Sequence, residues 1–364
     1  MPPSSQHNKR RPSLKSCRAF AKQWVQLNWQ DILGMAVVGG ISAAIYVSPV
    51  PVTRTFPITF THSGDVVFPE WAYPYRGWIL PSWLSGLVSI GVPILVYLLA
   101  VPRVKSVWDL SAAIMGTIWS VLIATLFQVT LKQLIGGFRP TFLDTCNPDL
   151  SNLTNAVNAT GLDGSGFQRL FYTVDVCRQT DKWQLKHAMT SFPSGHSTAA
   201  FAGFGFLFLW LNAKLKVWAD HRPAFWKLAA TLIPLLGALM IACSLTIDAA
   251  HNWYDIVAGS MIGILTSLAA YRASYAAIWD WRYNHLALQR REAFLYSAGS
   301  EDEDGYKEHT VTRSVGWGGQ RDWLGESTGL YSATTGMRPG RQEPAQGTGG
   351  QANIAGLNGE GDIV

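Results

Sequence analysis

The sequence predicts an all-α integral membrane protein: a bundle of six transmembrane helices followed by a disordered C-terminal tail. Hydrophobic residues make up 48% of the 364 residues and charged residues only 15%, against roughly 25% charged residues in a soluble domain. The apolar residues are gathered in six runs that are long enough to cross a bilayer. This composition argues against a soluble enzyme, and it excludes a disordered chain and a coiled coil. No basic stretch interleaved with aromatic residues indicates nucleic-acid binding.

The six runs contain no Asp, Glu, Lys or Arg, and they carry Gly, Ala and Ser residues that allow close helix packing in lipid. They cover residues 32–50, 83–101, 110–131, 197–213, 228–247 and 256–271. The chain is therefore expected to divide into a basic segment 1–31, a six-span domain 32–296 and a tail 297–364. The tail is expected to be disordered because it holds 15 of the 34 glycines and shows no amphipathic period.

Positive charge predicts which ends of the spans face the cytosol. The segments 1–31, 102–109, 214–227 and 272–291 carry 16 Lys and Arg in 73 residues, whereas the three segments on the other side carry 8 in 105. The positive-inside rule then places both termini in the cytosol. Glycosylation sequons at Asn152 and Asn158 lie on the opposite side, which is lumenal or extracellular, where glycans are attached.

The loop 132–196 is too long to be a passive connection between helices. It holds Cys146 and Cys177, on the side of the membrane where disulfides persist. A disulfide between these two residues and a pair of free thiols are both compatible with the sequence. Cys243, inside the fifth span, is expected to be a buried apolar residue.

Two cations follow the third span at its outer end. Lys132 ends the span and Arg139 comes seven residues later, before Pro140. A continuing helix would put both cations on one face, although Gly136 and Gly137 weaken such a helix. Arg offers a planar fork of donors and Lys a point charge, and the pair suits a phosphate group. The alternative is two cations that extend to the membrane surface only for solvation.

Ser194, Gly195 and His196 come directly before the fourth span. A helix that starts here presents free N–H groups and the positive end of its dipole, which favour an anion. Ser194 can cap the helix, and His196 would lie beside the anion as a general acid. The alternative is a capped helix with an interfacial histidine that has no chemical role.

His251 and Asp255 lie at the outer start of the sixth span, four residues apart, which is the spacing of neighbours on one helix face. An aspartate that binds one ring nitrogen of a histidine fixes the tautomer and leaves the other nitrogen free to act as a nucleophile or base. A purely structural His–Asp pair is the alternative. The three groups of residues all fall on the same predicted side of the membrane, so six packed helices can bring them into one pocket for a phosphate.

Taken together, these three groups resemble the tripartite signature of the type 2 phosphatidic acid phosphatases, a superfamily that also contains vanadium haloperoxidases. The six-span layout is similar to its membrane branch, the lipid phosphate phosphatases, over roughly residues 30–280. The resemblance implies that His251 is the nucleophile that forms a phosphohistidine, Asp255 its orienting partner and His196 the acid. It implies a phosphate cradle of Lys132, Arg139, Ser194 and Gly195.

The resemblance also implies the substrate class and the reaction conditions. Its members act on lipid phosphates such as phosphatidate, lysophosphatidate and diacylglycerol pyrophosphate. They need no metal and no cofactor, because fixed cations and amides stabilise the developing charge. The expected partners are therefore a lipid phosphate and the bilayer, with no nucleic acid. A transporter or channel is disfavoured because the spans carry no charged residue at mid-membrane.

One position departs from the family pattern. The third motif normally reads Ser-Arg, and here Ser244 is followed by Leu245. Loss of one charged donor costs about 2–4 kcal/mol of transition-state binding in comparable sites, or about 30- to 1000-fold in rate. A loop cation could compensate, and the available ones are Arg178, Lys182 and Lys186. The expectation is a slower or altered enzyme, and the alternative is an impaired relative that binds anionic headgroups without efficient turnover.

Overall fold

The computed structural model describes residues 14–49, 54–57, 69–148, 164–166, 171–290 and 294. Within these residues, six helices are long and apolar enough to cross a membrane, which confirms the predicted fold class. The helices are α1 Leu14–Val47, α2 Ser82–Val104, α3 Val107–Leu134, α4 Phe142–Cys146, α5 Lys182–Ala188, α6 Gly195–Leu215, α7 Phe225–Ile247 and α8 Trp253–Ser274. All but α4 and α5 are candidate spans. They make the chain a multi-pass membrane protein.

Most of the long helices extend past the uncharged runs from which they were predicted. The largest difference is in α1, which begins at Leu14, well inside the segment 1–31 that was expected to precede the first span. Hydropathy detects only the part of a helix that suits lipid, whereas backbone hydrogen bonding continues into polar flanks. The sequons at Asn152 and Asn158 and the tail 297–364 lie outside the described residues.

Helix α6 is the centre of the bundle. It packs against α2, α3, α7 and α8, and most of its residues are buried. The core around it is aromatic and includes Tyr97, Phe206 and Trp210. The outer helices expose apolar side chains, as lipid-facing surfaces do, and Cys243 is among the exposed residues. The expectation that Cys243 is buried was wrong, because α7 turns that face outward.

Glycines allow α8 to cross α6 at backbone contact. A Cβ atom added to Gly259 would lie 2.5 Å from the carbonyl oxygen of Ser194, and one added to Gly263 would lie 2.6 Å from that of Thr198. Neither position has room for a methyl group. Small residues that let helix backbones approach are typical of packing in lipid, where no hydrophobic effect drives helices together. This crossing fixes the distance between the first turns of α6 and α8.

The connections at one end of the bundle form a small layer of their own. Strands β1 Phe56–Pro57 and β2 Phe171–Tyr172 pair antiparallel, and a separate core gathers around Phe56 and Phe142. The structure joins Cys146 at the end of α4 to Cys177 in a disulfide. This layer covers the ends of the helices from which the candidate site is built.

The opposite end of the bundle is closed by buried polar contacts. Lys214 of α6 forms an ion pair with Asp109 of α3 at 2.5 Å, and both side chains are almost completely buried. Lys216 donates to Asn284 Oδ1 at 3.0 Å and to the carbonyl of Trp281. The segment after α8 therefore folds back against the bundle and is held there by Lys216, the C-cap residue of α6.

Candidate active site

The structure brings the sequence-predicted residues of all three groups together at one end of the bundle. Lys132 comes from the last turn of α3, and His196 from the first turn of α6. His251 lies in the turn between α7 and α8, and Asp255 in the first turn of α8. Four of these polar side chains are at most 6% exposed: Arg139, His196, His251 and Asp255. A polar cluster this well buried needs internal partners for every charge.

Arg139 reaches the cluster from a loop. Helix α3 ends at Leu134, and Gly136 and Gly137 have φ angles of +62° and +87°, which other residues rarely adopt. The helix therefore does not continue from Lys132 to Arg139, in agreement with the weakening effect expected of the two glycines. The turn instead lets the backbone of Gly137 accept from the N–H of Ser191 at 3.0 Å, and this pairing directs Arg139 into the site.

Backbone carbonyls hold both cations in place. Arg139 donates through Nε to His187 O at 2.7 Å and through Nη1 to Ala250 O at 2.6 Å. Lys132 Nζ donates to Thr190 O at 2.7 Å and to Ser191 O at 3.3 Å. Burial lowers the pKa of Arg139 to about 10, so the guanidinium remains a cation at neutral pH. Neither cation is neutralised by an ion pair in this part of the structure, and both can attract an anion.

His251 lies before α8, which starts at Trp253 with Asn252 as its N-cap. The expectation that His251 and Asp255 share a helix face was wrong in this respect. They approach each other because Asp255 turns back to form a capping box with Asn252, and its Oδ2 accepts from Asn252 N at 2.9 Å. The distance from His251 Nδ1 to Asp255 Oδ2 is 3.5 Å, too long for a strong hydrogen bond.

Ser191, which the sequence analysis did not single out, bridges this gap. Its hydroxyl lies 2.5 Å from Asp255 Oδ2 and 3.3 Å from His251 Nδ1. A carboxylate only accepts, so the hydroxyl donates to Asp255 and accepts from the Nδ1–H of His251. On the other side of the ring, Arg139 Nη1 lies 3.4 Å from Nε2. Since arginine only donates, Nε2 is the unprotonated ring nitrogen, and its lone pair faces the guanidinium of Arg139.

The same surroundings keep His251 uncharged. Burial, together with the positive charges of Arg139 and Lys132, holds the pKa of His251 well below its ordinary value. A neutral imidazole that is unprotonated at Nε2 is the form that a nucleophilic histidine requires. His187, behind Arg139, is neutral for the same reasons, since burial and nearby cations lower its pKa to about 4.

The start of α6 supplies backbone N–H groups and a second imidazole. Ser194 is its N-cap, and the serine hydroxyl accepts from Ser197 N at 3.4 Å, as predicted for a cap. Gly195 begins the helix, and the first N–H groups of any helix have no intrahelical partner. His196 Nε2 lies 2.9 Å from the carbonyl of Leu80. A carbonyl only accepts, so Nε2 carries a proton.

Leu245 borders the nucleophile's turn but offers it no side-chain donor. It is 1% exposed, and its carbonyl accepts from Ala250 N at 3.0 Å and His251 N at 3.4 Å. Lys186, one of the loop cations considered as a substitute for arginine, donates instead to the carbonyls of Tyr46 and Ser48 at 2.6 and 2.5 Å. The other two loop candidates are exposed on the surface: Arg178 and Lys182.

The arrangement defines a class of site. Two fixed cations, a helix N-terminus, the neutral His251 and His196 with its Nε2 proton lie together at this end of the bundle, a set of groups that suits an oxyanion. Over the described part of the chain, no three His, Cys, Asp or Glu side chains are grouped so as to hold a metal ion. The molecule is thus a multi-pass membrane protein with a buried cluster of cations and histidines at one end of its bundle.

Comparison with known proteins agrees with this description. The PAP2 superfamily matches residues 113–279, a range that contains all the site residues predicted from the sequence. Lipid phosphate phosphatase 2 of Arabidopsis thaliana is 31% identical over 221 residues, which are 60% of this chain and 69% of the plant protein. Diacylglycerol pyrophosphate phosphatase 1 of Saccharomyces cerevisiae is 34% identical over 154 residues, 42% of this chain and 48% of the yeast protein.

The chain belongs to the PAP2 superfamily, which is the type 2 phosphatidic acid phosphatase superfamily that its three motifs resemble. Lipid phosphate phosphatase 1 of Saccharomyces cerevisiae is a further relative, 32% identical over 157 residues, 43% of this chain and 47% of that protein. The chain therefore spans about half the length of these yeast relatives. No solved structure matches it significantly.

Proposed function

We propose that this protein is a membrane phosphatase that hydrolyses lipid phosphates of the phosphatidate, lysophosphatidate and diacylglycerol pyrophosphate class. The observation that carries the proposal is the convergence of His251, Asp255, His196, Arg139 and Lys132 at one end of the bundle. The names of the plant and yeast relatives support the substrate class. The lipid remains in the bilayer while its headgroup occupies the site.

In the first step, Nε2 of His251 attacks phosphorus and the bond from phosphorus to the lipid oxygen breaks. Arg139, Lys132 and the N–H groups at the start of α6 stabilise the charge on the transferring phosphoryl group. His196, which in this proposal enters the step as an imidazolium, gives its Nε2 proton to the leaving oxygen and becomes neutral, so that the lipid departs as a neutral alcohol and a phosphohistidine remains. The relay from His251 Nδ1 through Ser191 to Asp255 stabilises the ring as it becomes positive.

In the second step, His196 takes a proton from water, which attacks the phosphorus of the phosphohistidine. The bond from phosphorus to Nε2 breaks, inorganic phosphate leaves, and both histidines return to their starting protonation states. Each transferred proton and electron pair is accounted for by the two histidines and the water. The proposed reaction therefore requires no metal and no cofactor.

The charge distribution supports an orientation for this chemistry. With both termini in the cytosol, the end of the bundle that holds His251 faces the lumen or the exterior. The Cys146–Cys177 disulfide lies at the same end and suits an oxidising compartment. Protease protection of tags at the two termini in sealed vesicles tests this orientation.

The test of the reaction is phosphate release by purified protein from short-chain phosphatidate in the presence of EDTA. Wild-type protein is expected to release phosphate, and His251→Ala to release none, because no other group supplies the nucleophile. A matched control is His221→Ala, since His221 is an exposed histidine that pairs with Asp220. Equal rates in the wild type and His251→Ala contradict the mechanism.

A second function is favoured by Leu245. Without the motif arginine, the protein would bind anionic lipid headgroups and turn them over inefficiently. In that case Leu245→Arg should raise the rate by about 30- to 1000-fold, because a charged transition-state donor is worth about 2–4 kcal/mol. Headgroup binding, measured with vesicles that contain phosphatidate, should change little. Substantial turnover by the wild-type protein decides in favour of the phosphatase.

A further inference from the structure

A tryptophan from outside the three motifs contacts two of the site's groups. The Trp78 ring lies 5.3 Å from the His196 ring and, measured to its centroid, 5.3 Å from Arg139 Cζ. The first is an aromatic contact, and the second places the guanidinium over the ring face, where a cation is attracted. Trp78 is therefore a single side chain that packs against both the proposed acid and an anion-binding cation.

The segment that carries Trp78, residues 72–81, is fastened across the mouth of the site, and we call it the strap. At its start, Tyr75 N donates to Asp144 Oδ2 at 2.8 Å. After Trp78, Ile79 N donates to Asp248 Oδ2 at 3.2 Å, and the next carbonyl accepts from His196. Contacts on both sides of Trp78 hold its ring in one place relative to the site.

A carbonyl of the strap also accepts a hydrogen bond from the proton that the proposed reaction needs. His196 Nε2 donates to Leu80 O at 2.9 Å, which is the proton that the proposed mechanism assigns to the leaving oxygen. For catalysis, the leaving oxygen must replace the Leu80 carbonyl as the acceptor. The ring of Trp78 can hold His196 in its present orientation during that exchange, because packing against the imidazole does not depend on Leu80.

We propose that Trp78 is a positioning residue for the acid step, holding His196 towards the leaving oxygen and Arg139 towards the phosphoryl group. This inference rests on the proposed phosphatase function. It predicts that Trp78 matters most when the leaving group needs a proton. A lipid alkoxide needs one, whereas p-nitrophenolate is a stable anion that leaves without it.

The experiment compares Trp78→Ala and Trp78→Phe with wild type on short-chain phosphatidate and on p-nitrophenyl phosphate. Trp83→Ala is the matched control, because Trp83 is 70% exposed at the start of α2. Trp78→Ala is expected to lower kcat for the lipid about 10- to 100-fold, part of the 10²–10⁴ that general acid catalysis supplies. The loss on p-nitrophenyl phosphate should stay below about 3-fold, and Trp78→Phe should recover most of the lipid rate.

Equal losses on both substrates, or no loss on either, overturn the inference, since a misfolded or merely loosened variant does not distinguish leaving groups. A titration with vanadate tests the contact between Trp78 and Arg139 without requiring turnover. Binding is measured as the change in the thermal unfolding temperature in detergent. Loss of the ring over Arg139 should raise the Kd for vanadate about 3- to 10-fold, relative to Trp83→Ala. A wild-type protein that hydrolyses neither substrate refutes the proposed function, and an unchanged vanadate Kd in Trp78→Ala then refutes this inference separately.

Discussion

Replacing Ser191 with alanine tests how Asp255 orients His251. The serine hydroxyl connects the two groups, at 3.3 Å from His251 Nδ1 and 2.5 Å from Asp255 Oδ2, whereas the direct distance between them is 3.5 Å. If the hydroxyl is the connection, Ser191→Ala removes the hydrogen bond that fixes the imidazole. Asp255 keeps its two hydrogen bonds from Asn252, so the carboxylate stays in place.

The size of the effect follows from what is removed. A hydrogen bond between neutral groups, such as that from His251 to the serine hydroxyl, contributes about 0.5–1.5 kcal/mol. Applied to the transition state, this is about 2- to 13-fold in kcat. Asp255→Asn removes the negative charge itself, and in a catalytic triad that change lowers kcat about 10⁴-fold. The two variants should therefore differ by about three to four orders of magnitude in kcat.

The assay is kcat and KM for a short-chain lipid phosphate in detergent, with Ser120→Ala as control. Ser120 is also a buried serine, but its hydroxyl donates to Ala202 O within the bundle, so its loss should leave kcat unchanged. Because Ser191 acts through Asp255, Ser191→Ala should have little further effect in the Asp255→Asn background. A wild-type kcat in Ser191→Ala would show that Asp255 contacts His251 directly, and the relay would be wrong.

Three further predictions concern stability, spacing and pH. Asp109→Asn breaks the buried ion pair at the far end of the bundle and should lower the free energy of unfolding by about 3–5 kcal/mol; an unchanged melting temperature in detergent contradicts this. Gly259→Ala places a methyl group 2.5 Å from the carbonyl of the α6 N-cap and should lower kcat about 100-fold, as misplacement by about 1 Å does. Gly91→Ala, where a Cβ meets open space, should not affect kcat. Because the pKa of His251 is lowered, the ring stays neutral as the pH falls through the ordinary value of about 6.5. The value of kcat/KM, corrected for substrate ionisation, should therefore fall only at lower pH. A midpoint near 6.5 in the pH profile contradicts this prediction.

The number of spans and the end of the bundle that holds the motifs could be read from the sequence. Uncharged runs of bilayer length mark the spans directly, since apolar side chains are what lipid selects. The grouping of Lys132, His196 and His251 followed from topology, because alternate helix ends of a bundle meet on one side. Local geometry was harder to predict. Asn252 followed by Asp255 is a capping signal, and it could have shown that α8 begins after His251.

Ser191 and Trp78 could not have been found in this way. Ser191 contacts residues 60 and 64 positions away in the chain, and Trp78, in a loop before α2, contacts His196 of α6. Neither residue lies in a periodic pattern, and neither type is unusual in a loop beside a membrane. Their roles depend on how loops fold over the helix ends, which hydropathy and motif spacing do not describe.

The glycines where α8 crosses α6 have a consequence for how relatives of this protein can diverge. They set how far the first turn of α6, with His196, lies from the first turn of α8, with Asp255, yet they carry no reactive group. Selection for a faster or slower turnover could therefore act on interhelical distance alone. Substitutions at small residues within the spans would then accompany changes in turnover among relatives, as substitutions of the histidines would.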